Sequence, residues 1–264
     1  MRPIIRPLLF VLVVCGTVAS QAQVAVGFRG GVNWAKLTAK EGIIQETQAR
    51  LGPAGAIIIE MPFSERLSLV PEIGFVRRGY KADFHGAQLG NRLGFDSQGN
   101  SVFGYGYYNG NAPFIREQNM VLDFIDLGLL TKLHLGSIPA QPHLLAGLTA
   151  GWMIGARQYY VADQGVKFDE QALDPQALKM NRLNLALCGG AGFTFTVGAS
   201  HLFMEGRYLY GLSNVWNGLV ITDQNGAKVG ELNGYDRSIQ FTVGLMFPVG
   251  KGGKAEVPKT EPVE

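Results

Sequence analysis

Histidine is the side chain best suited to acid–base work near neutral pH, and this sequence carries four, His85, His134, His143 and His201. A catalytic histidine also needs a nucleophile or an acid within reach. His85 lies close in sequence to Asp83, Asp96, Ser97 and Ser101. A base, an acid and hydroxyls recur together in any polar loop, so we assign them no reaction. His134, His143 and His201 fall beside short turns, where they are expected to face solvent. Asp96, Asp163, Asp169, Glu170, Asp174, Asp223 and Asp236 populate the long connections, yet none has the spacing of a calcium loop. Asp223-Gln224-Asn225-Gly226 and Gln164-Gly165 read as turns. Gly104-Tyr105-Gly106 lacks the strand–turn–helix setting of a phosphate loop. The residues thus predict no catalytic centre, no metal and no cofactor.

A different constellation recurs along the chain: Arg29, Glu60, Glu72, Arg78, Asp126, Lys132, Glu205 and Arg207, four acids and four bases, each embedded in a stretch where apolar residues alternate. Strict alternation places such a charge on the strand face opposite its large apolar neighbours. In the final stretch Ile239, Phe241, Val243, Leu245 and Phe247 share one face, and Gln240, Thr242, Gly244 and Met246 the other. Charges grouped on one side of a closed sheet can neutralise one another, whereas each would cost ~2–4 kcal/mol on a face turned to the middle of a bilayer. The chemistry implied is a network of ion pairs inside a tube. Gly31, Ala56, Gly74, Gly147, Gly190 and Gly192 would make room for the long side chains, and Cys188 would fill space beside Gly190.

The elements that would position these charges are eight strands, at residues 24–37, 54–62, 67–80, 121–135, 142–156, 184–197, 202–211 and 237–249. Charged residues are only 17% of the chain and apolar ones 47%, against about 25% charged in an ordinary soluble domain. Beyond the N-terminus no apolar run approaches the ~18 residues of a spanning helix, which leaves the closed barrel as the membrane-compatible fold. Connections alternate in length. Phe63-Ser64-Glu65-Arg66, residues 136–141 and Gly198-Ala199-Ser200-His201 are short; 38–53, 81–120, 157–183 and 212–236 are long. Long loops all at one end are the pattern of outer-membrane barrels, with short turns on the periplasmic side. Trp34, Phe63, Tyr80, Trp152, Tyr159, Tyr160, Tyr208, Tyr210 and Phe247 near strand ends suit interfacial girdles.

Three regions are expected. Residues 1–22 read as a cleaved signal: Arg2 and Arg6, the apolar run Leu8-Leu9-Phe10-Val11-Leu12-Val13-Val14, then Ser20-Gln21-Ala22 as the cleavage site. Residues 23–250 form an all-β, eight-stranded antiparallel transmembrane barrel in the bacterial outer membrane. Residues 251–264, rich in Lys, Pro and Glu, form a disordered tail. A mature chain with Cys188 as its single cysteine has no disulfide. A net charge of +2 without a basic cluster gives no footprint for nucleic acid.

Gly27-Phe28-Arg29-Gly30-Gly31-Val32-Asn33-Trp34, Phe124-Ile125-Asp126-Leu127-Gly128-Leu129-Leu130-Thr131-Lys132 and Pro142-His143-Leu144-Leu145-Ala146-Gly147 together resemble the outer-membrane β-barrel family common in Bacteroidetes, the porin-family or PorT-like group. Gly128 stands where that family usually has proline. The resemblance implies residence in the outer membrane and no single activity. The function expected is a structural or interaction barrel with a plugged lumen. Its partners would be outer-membrane lipid and an extracellular or envelope protein met by loops 81–120 and 157–183. The stretch 99–111, rich in Gly, Asn and Tyr, suits such a contact. Alternatives are a narrow channel for small solutes, an interfacial enzyme, and a soluble lipocalin-like binder whose apolar faces turn inward.

Overall fold

The computed structural model describes residues 24–38, 47–83, 94–95, 101–102, 115–136, 140–162, 165, 167–216, 219–222 and 228–249. Eight long strands follow one another: β1 (Val24–Thr38), β2 (Thr47–Pro62), β3 (Leu67–Asp83), β4 (Ile115–His134), β5 (Ala140–Ala162), β6 (Leu183–Val197), β7 (Ser200–Asn214) and β8 (Tyr235–Val249). Each pairs antiparallel with its sequence neighbour. β8 then pairs with β1 from Val24↔Val249 to Thr38↔Tyr235, closing the sheet. Closure removes every free strand edge, the condition for a sheet to lie in hydrocarbon. No helix among the described residues is long and apolar enough to cross a membrane.

The turns at one end are tight. In the β2–β3 turn the Ser64 hydroxyl accepts the Leu67 N–H at 3.0 Å, and the Phe63 N–H reaches the Leu67 carbonyl. Gly198-Ala199 joins β6 to β7 in two residues, with Gly198 at φ +63°, a conformation that costs glycine nothing. At the other end the strands outrun the sequence-based bounds. β2 begins at Thr47 instead of 54, β4 at Ile115 instead of 121, and β5 ends at Ala162 instead of 156. The ladder continues there through polar residues, as in Gln118↔Tyr160 and Asn119↔Tyr159, which carry no apolar alternation to read. Bulges at Ala49/Ala54, Asp123/Phe124 and Tyr210/Asn214 lie toward this long-loop end, where an extra residue bends a strand without slipping the register below it. Three shorter elements lie within the long connections: the hairpins of Gly94–Phe95 with Ser101–Val102 and of Leu219–Thr222 with Lys228–Leu232, and Lys167–Ala172 laid along β5. The expected signal at 1–22 and tail at 251–264 lie outside the described residues.

The two faces divide by residue type. Phe28, Ile57, Leu127, Leu148, Leu187 and Phe241 all point outward and stay more than two-fifths exposed. Such a belt encircles every strand of the barrel, far beyond the few hundred Å² of apolar patch a soluble monomer shows. The inward set on β8, Gln240, Thr242 and Met246, is buried. The lipocalin-like reading needed Phe241 and Phe247 in a dry core; both are exposed.

Candidate functional site: the barrel lumen

Alternation puts every second residue of eight strands into a bore barely wide enough for side chains. Arg29 (β1), Glu60 (β2), Glu72 and Arg78 (β3), Asp126 and Lys132 (β4), and Glu205 and Arg207 (β7) all lie there, and the structure brings them together in layers. Nearest the short turns, the Lys132 ammonium meets Glu60 at 2.9 Å, and His134 Nε2 lies 2.8 Å from the same carboxylate. Lys132 also stands 5.6 Å from the Phe203 ring. Above it, Arg207 donates through Nε and Nη2 to Glu205 at 2.9 and 2.6 Å. In the next layer Arg29 and Arg207 both reach Glu72, at 3.0 and 2.9 Å. β3 and β7 are four strands apart in a ring of eight, so the Glu72–Arg207 bridge crosses the full bore. Toward the long loops, Arg78 pairs with Asp126, donates to Asn184 of β6 at 2.9 Å and reaches Asp236 of β8 at 3.4 Å. Its guanidinium stacks 4.8 Å from the Phe124 ring.

These contacts meet the first condition for burying ions, since each of the eight charges has an opposite charge within 4 Å, although Asp126 Oδ1 and Asp236 Oδ2 are buried without a hydrogen-bond donor. Room is made by residues without side chains. A Cβ on Gly128 would lie 2.5 Å from Glu72 Cγ, and one on Gly192 would lie 2.7 Å from His143 Nε2 and 2.8 Å from Glu205 Cγ. The glycine at 128 therefore lets Glu72 extend across its own cross-strand partner position.

Several inward residues differ from the sequence-based expectation. His143, expected to face solvent, is 1% exposed. Its Nε2 lies 3.1 Å from Glu205 and its Nδ1 3.2 Å from the Thr194 hydroxyl. Both ring nitrogens thus have an oxygen partner inside the bore. His134 is part-buried and touches Ser68 at 3.2 Å as well as Glu60. Serine and acid share one ring nitrogen there, whereas a nucleophile relay needs them on opposite nitrogens. Asp236, expected in an outer loop, is buried inside β8. It makes the Arg78 layer two acids to one base, while Arg29, Lys132 and Arg207 balance Glu60, Glu72 and Glu205. Tyr80, expected in a girdle, points inward and meets Trp216 edge-on, centroids 6.3 Å apart. Both belong to an apolar cap with Leu37, Met120, Phe124 and Met153 that fills the long-loop end. A second apolar group, including Ile58, Val70, Leu130, Phe203 and Met246, fills the short-turn end. Parity marks those of these residues that lie on strands as inward, but a search confined to charges passes over them, and Trp216 lies beyond the end of β7. Cys188 is buried and makes no disulfide among the described residues. His85, Asp96 and Ser97 lie outside the described residues.

A closed eight-stranded barrel with a greasy exterior and an ionic interior is what a membrane β-barrel requires. The model of the outer membrane protein beta-barrel domain matches residues 19–217. The chain belongs to this family. Family membership places the barrel in the bacterial outer membrane. The match ends before β8, which closes the barrel against β1. No curated protein matches the sequence. Among solved structures, Neisserial surface protein A is similar at 11% identity and TM-score 0.40, covering 85% of this chain and 99% of that one. OprG from Pseudomonas aeruginosa is similar at 11% identity and TM-score 0.46, covering 86% and 98%. The outer membrane protease OmpT from Escherichia coli is similar at 10% identity and TM-score 0.41, covering 86% and 97%.

Proposed function

We propose that this outer-membrane barrel is a non-conducting, non-enzymatic structural or interaction protein, of the porin-family or PorT-like kind common in Bacteroidetes, exported by a signal cleaved after Ala22. On this reading the eight charges Arg29, Glu60, Glu72, Arg78, Asp126, Lys132, Glu205 and Arg207 plug the lumen. The long loops 81–120 and 157–183 meet an extracellular or envelope protein. The observation that carries it is the Glu72–Arg207 bridge across the bore, with Arg29 on the same carboxylate. A hydrated ion would have to separate those charges, and then pass the Tyr80–Trp216 cap above them. Breaking a buried pair of this kind costs about 3–5 kcal/mol, a large barrier for each passage.

The purified barrel, inserted in planar bilayers, is expected to give no steady single-channel steps in 1 M KCl. Reproducible steps would replace this reading with that of a narrow pore. Double substitution of Glu72 and Arg207 by alanine is expected to raise conductance from that baseline.

A further inference from the structure

The outward row of β8 runs apolar from Phe247 to Ile239 and then changes at Arg237. From Phe247 to Arg237 is ten residue steps. At about 3.4 Å per residue and a tilt near 40°, they rise about 26 Å, the height of the apolar band of such barrels. Arg237 is thus the first polar position at the level of the headgroups on the long-loop side. Its cross-strand partner on β1 is Lys36, which is exposed, and its partner on β7 is Tyr210. Two cations set directly opposite each other on one face of a sheet repel. Among the described residues neither is ion-paired with a carboxylate. The nearest one, Asp236, points into the barrel toward Arg78.

The Arg237 guanidinium is nonetheless fixed in place. Its Nη1 donates to the carbonyls of Gly211 and Asp236 at 2.7 and 2.9 Å. It lies 3.6 Å from the Tyr210 ring centroid and 5.9 Å from that of Tyr235. Trp34 stands two residues inward of Lys36 on the same outward row, 54% exposed. A held guanidinium, an exposed lysine and a rim of interfacial aromatics form a surface complementary to an anion that comes with acyl chains attached. Arginine binds phosphate through paired N–H donors and lysine as a point charge, and anionic headgroups draw such cations to the bilayer surface. The second outward basic group, Arg77 and Arg157, already shares Asp123 at 2.7 and 3.1 Å, so it offers less unspent charge.

We propose that Lys36 and Arg237, framed by Trp34, Tyr210 and Tyr235, bind a phosphate group on the headgroup of a phosphorylated glycolipid in the outer leaflet, holding that lipid against the β7–β8–β1 face.

The test is native mass spectrometry of the full-chain barrel in detergent, titrated with diphosphoryl lipid A, with the same lipid after removal of its phosphates, and with inorganic phosphate as competitor. Diphosphoryl lipid A is expected to stay bound, and the dephosphorylated lipid to bind at least tenfold more weakly. Lys36→Gln, which removes an exposed side chain, is expected to weaken binding severalfold, and Lys36→Gln with Arg237→Gln at least tenfold. Heat-dependent gel migration of each variant reports whether it is folded, and if the double variant is not, Lys36→Gln alone decides. Binding unchanged in Lys36→Gln, equal binding of the dephosphorylated lipid, or loss of binding confined to Arg77→Gln with Arg157→Gln would each overturn the site. Full displacement of the lipid by millimolar inorganic phosphate would overturn its assignment to a lipid.

Discussion

Replacing Glu72 by glutamine changes the shape of the lumen by almost nothing and its charge by one unit. In the native barrel this carboxylate accepts from Arg29 at 3.0 and 3.3 Å and from Arg207 at 2.9 Å to both oxygens. With glutamine, one of the two oxygens becomes an amide NH2 donor, and Arg29 and Arg207 are left to share a single neutral acceptor, with Arg29 keeping its 3.4 Å contact to Gln240. Arg207 retains Glu205. One buried guanidinium is thereby left without its counter-charge, which costs about 3–5 kcal/mol. With a urea dependence of about 2–3 kcal/mol per molar, the unfolding midpoint falls by at least 1 M, roughly. Reversible urea unfolding in lipid vesicles, followed by heat-dependent gel migration, measures this. Arg29→Met with Glu72→Leu removes both partners and leaves Arg207 paired. That variant is expected to recover most of the loss, because an apolar pair in place of a buried ion pair is often neutral or better. A Glu72→Gln barrel within 0.5 kcal/mol of wild type, on the order of measurement error, would refute the claim that these charges hold one another in a dry bore.

The Arg78 layer carries a surplus carboxylate, so Asp236→Asn is expected to change stability by less than about 1 kcal/mol, whereas Arg78→Met, which strands Asp126 and Asp236, costs about 3–5 kcal/mol by the same unfolding assay. Val243 is the middle of the five outward apolar positions of β8 and is 51% exposed; Val243→Arg is expected to cost about 2–4 kcal/mol in vesicles, and Val249→Arg, at the strand end, about 0–1. Gly192→Val places methyl groups against His143 and Glu205 and is expected to destabilise by about 1–3 kcal/mol through overpacking; Gly189→Val, whose Cβ meets nothing within 4 Å, is the matched control and is expected to be near neutral in equilibrium unfolding.

Strand identity was legible wherever a large apolar residue alternated with a small or polar one. β8 is the clearest instance, since Ile239 to Phe247 assign both faces before any register is known. The rhythm of short and long connections followed from turn residues such as Ser64 and Gly198. Partnership inside the bore was not legible, because it depends on register. His143 meets Glu205 only because His143 lies opposite Gly192 and Gly192 opposite Glu205. Nothing local in Pro142-His143-Leu144 announces that pairing. Asp236 was misplaced by two residues of strand boundary: a strand begun at Arg237 leaves Asp236 in a loop, whereas one begun at Tyr235 turns it inward. Tyr80 was misplaced by position along the strand, although its parity with Glu72 and Arg78 already points it inside. Trp216 carries no such signal, since it reaches the bore from beyond the end of β7 and is held there by the Met180 bridge and by Asn214.

Orientation is the claim on which the rest depends, and the three tryptophans report it directly. Trp34 and Trp152 are each 54% exposed on the outer face, and Trp216 is 2% exposed inside the cap. Single-tryptophan variants reconstituted in vesicles of brominated phosphatidylcholine give the answer by fluorescence quenching. Strong quenching of Trp34 and Trp152 with Trp216 nearly unquenched is the result this account predicts; quenching of Trp216 with Trp34 and Trp152 protected would contradict it.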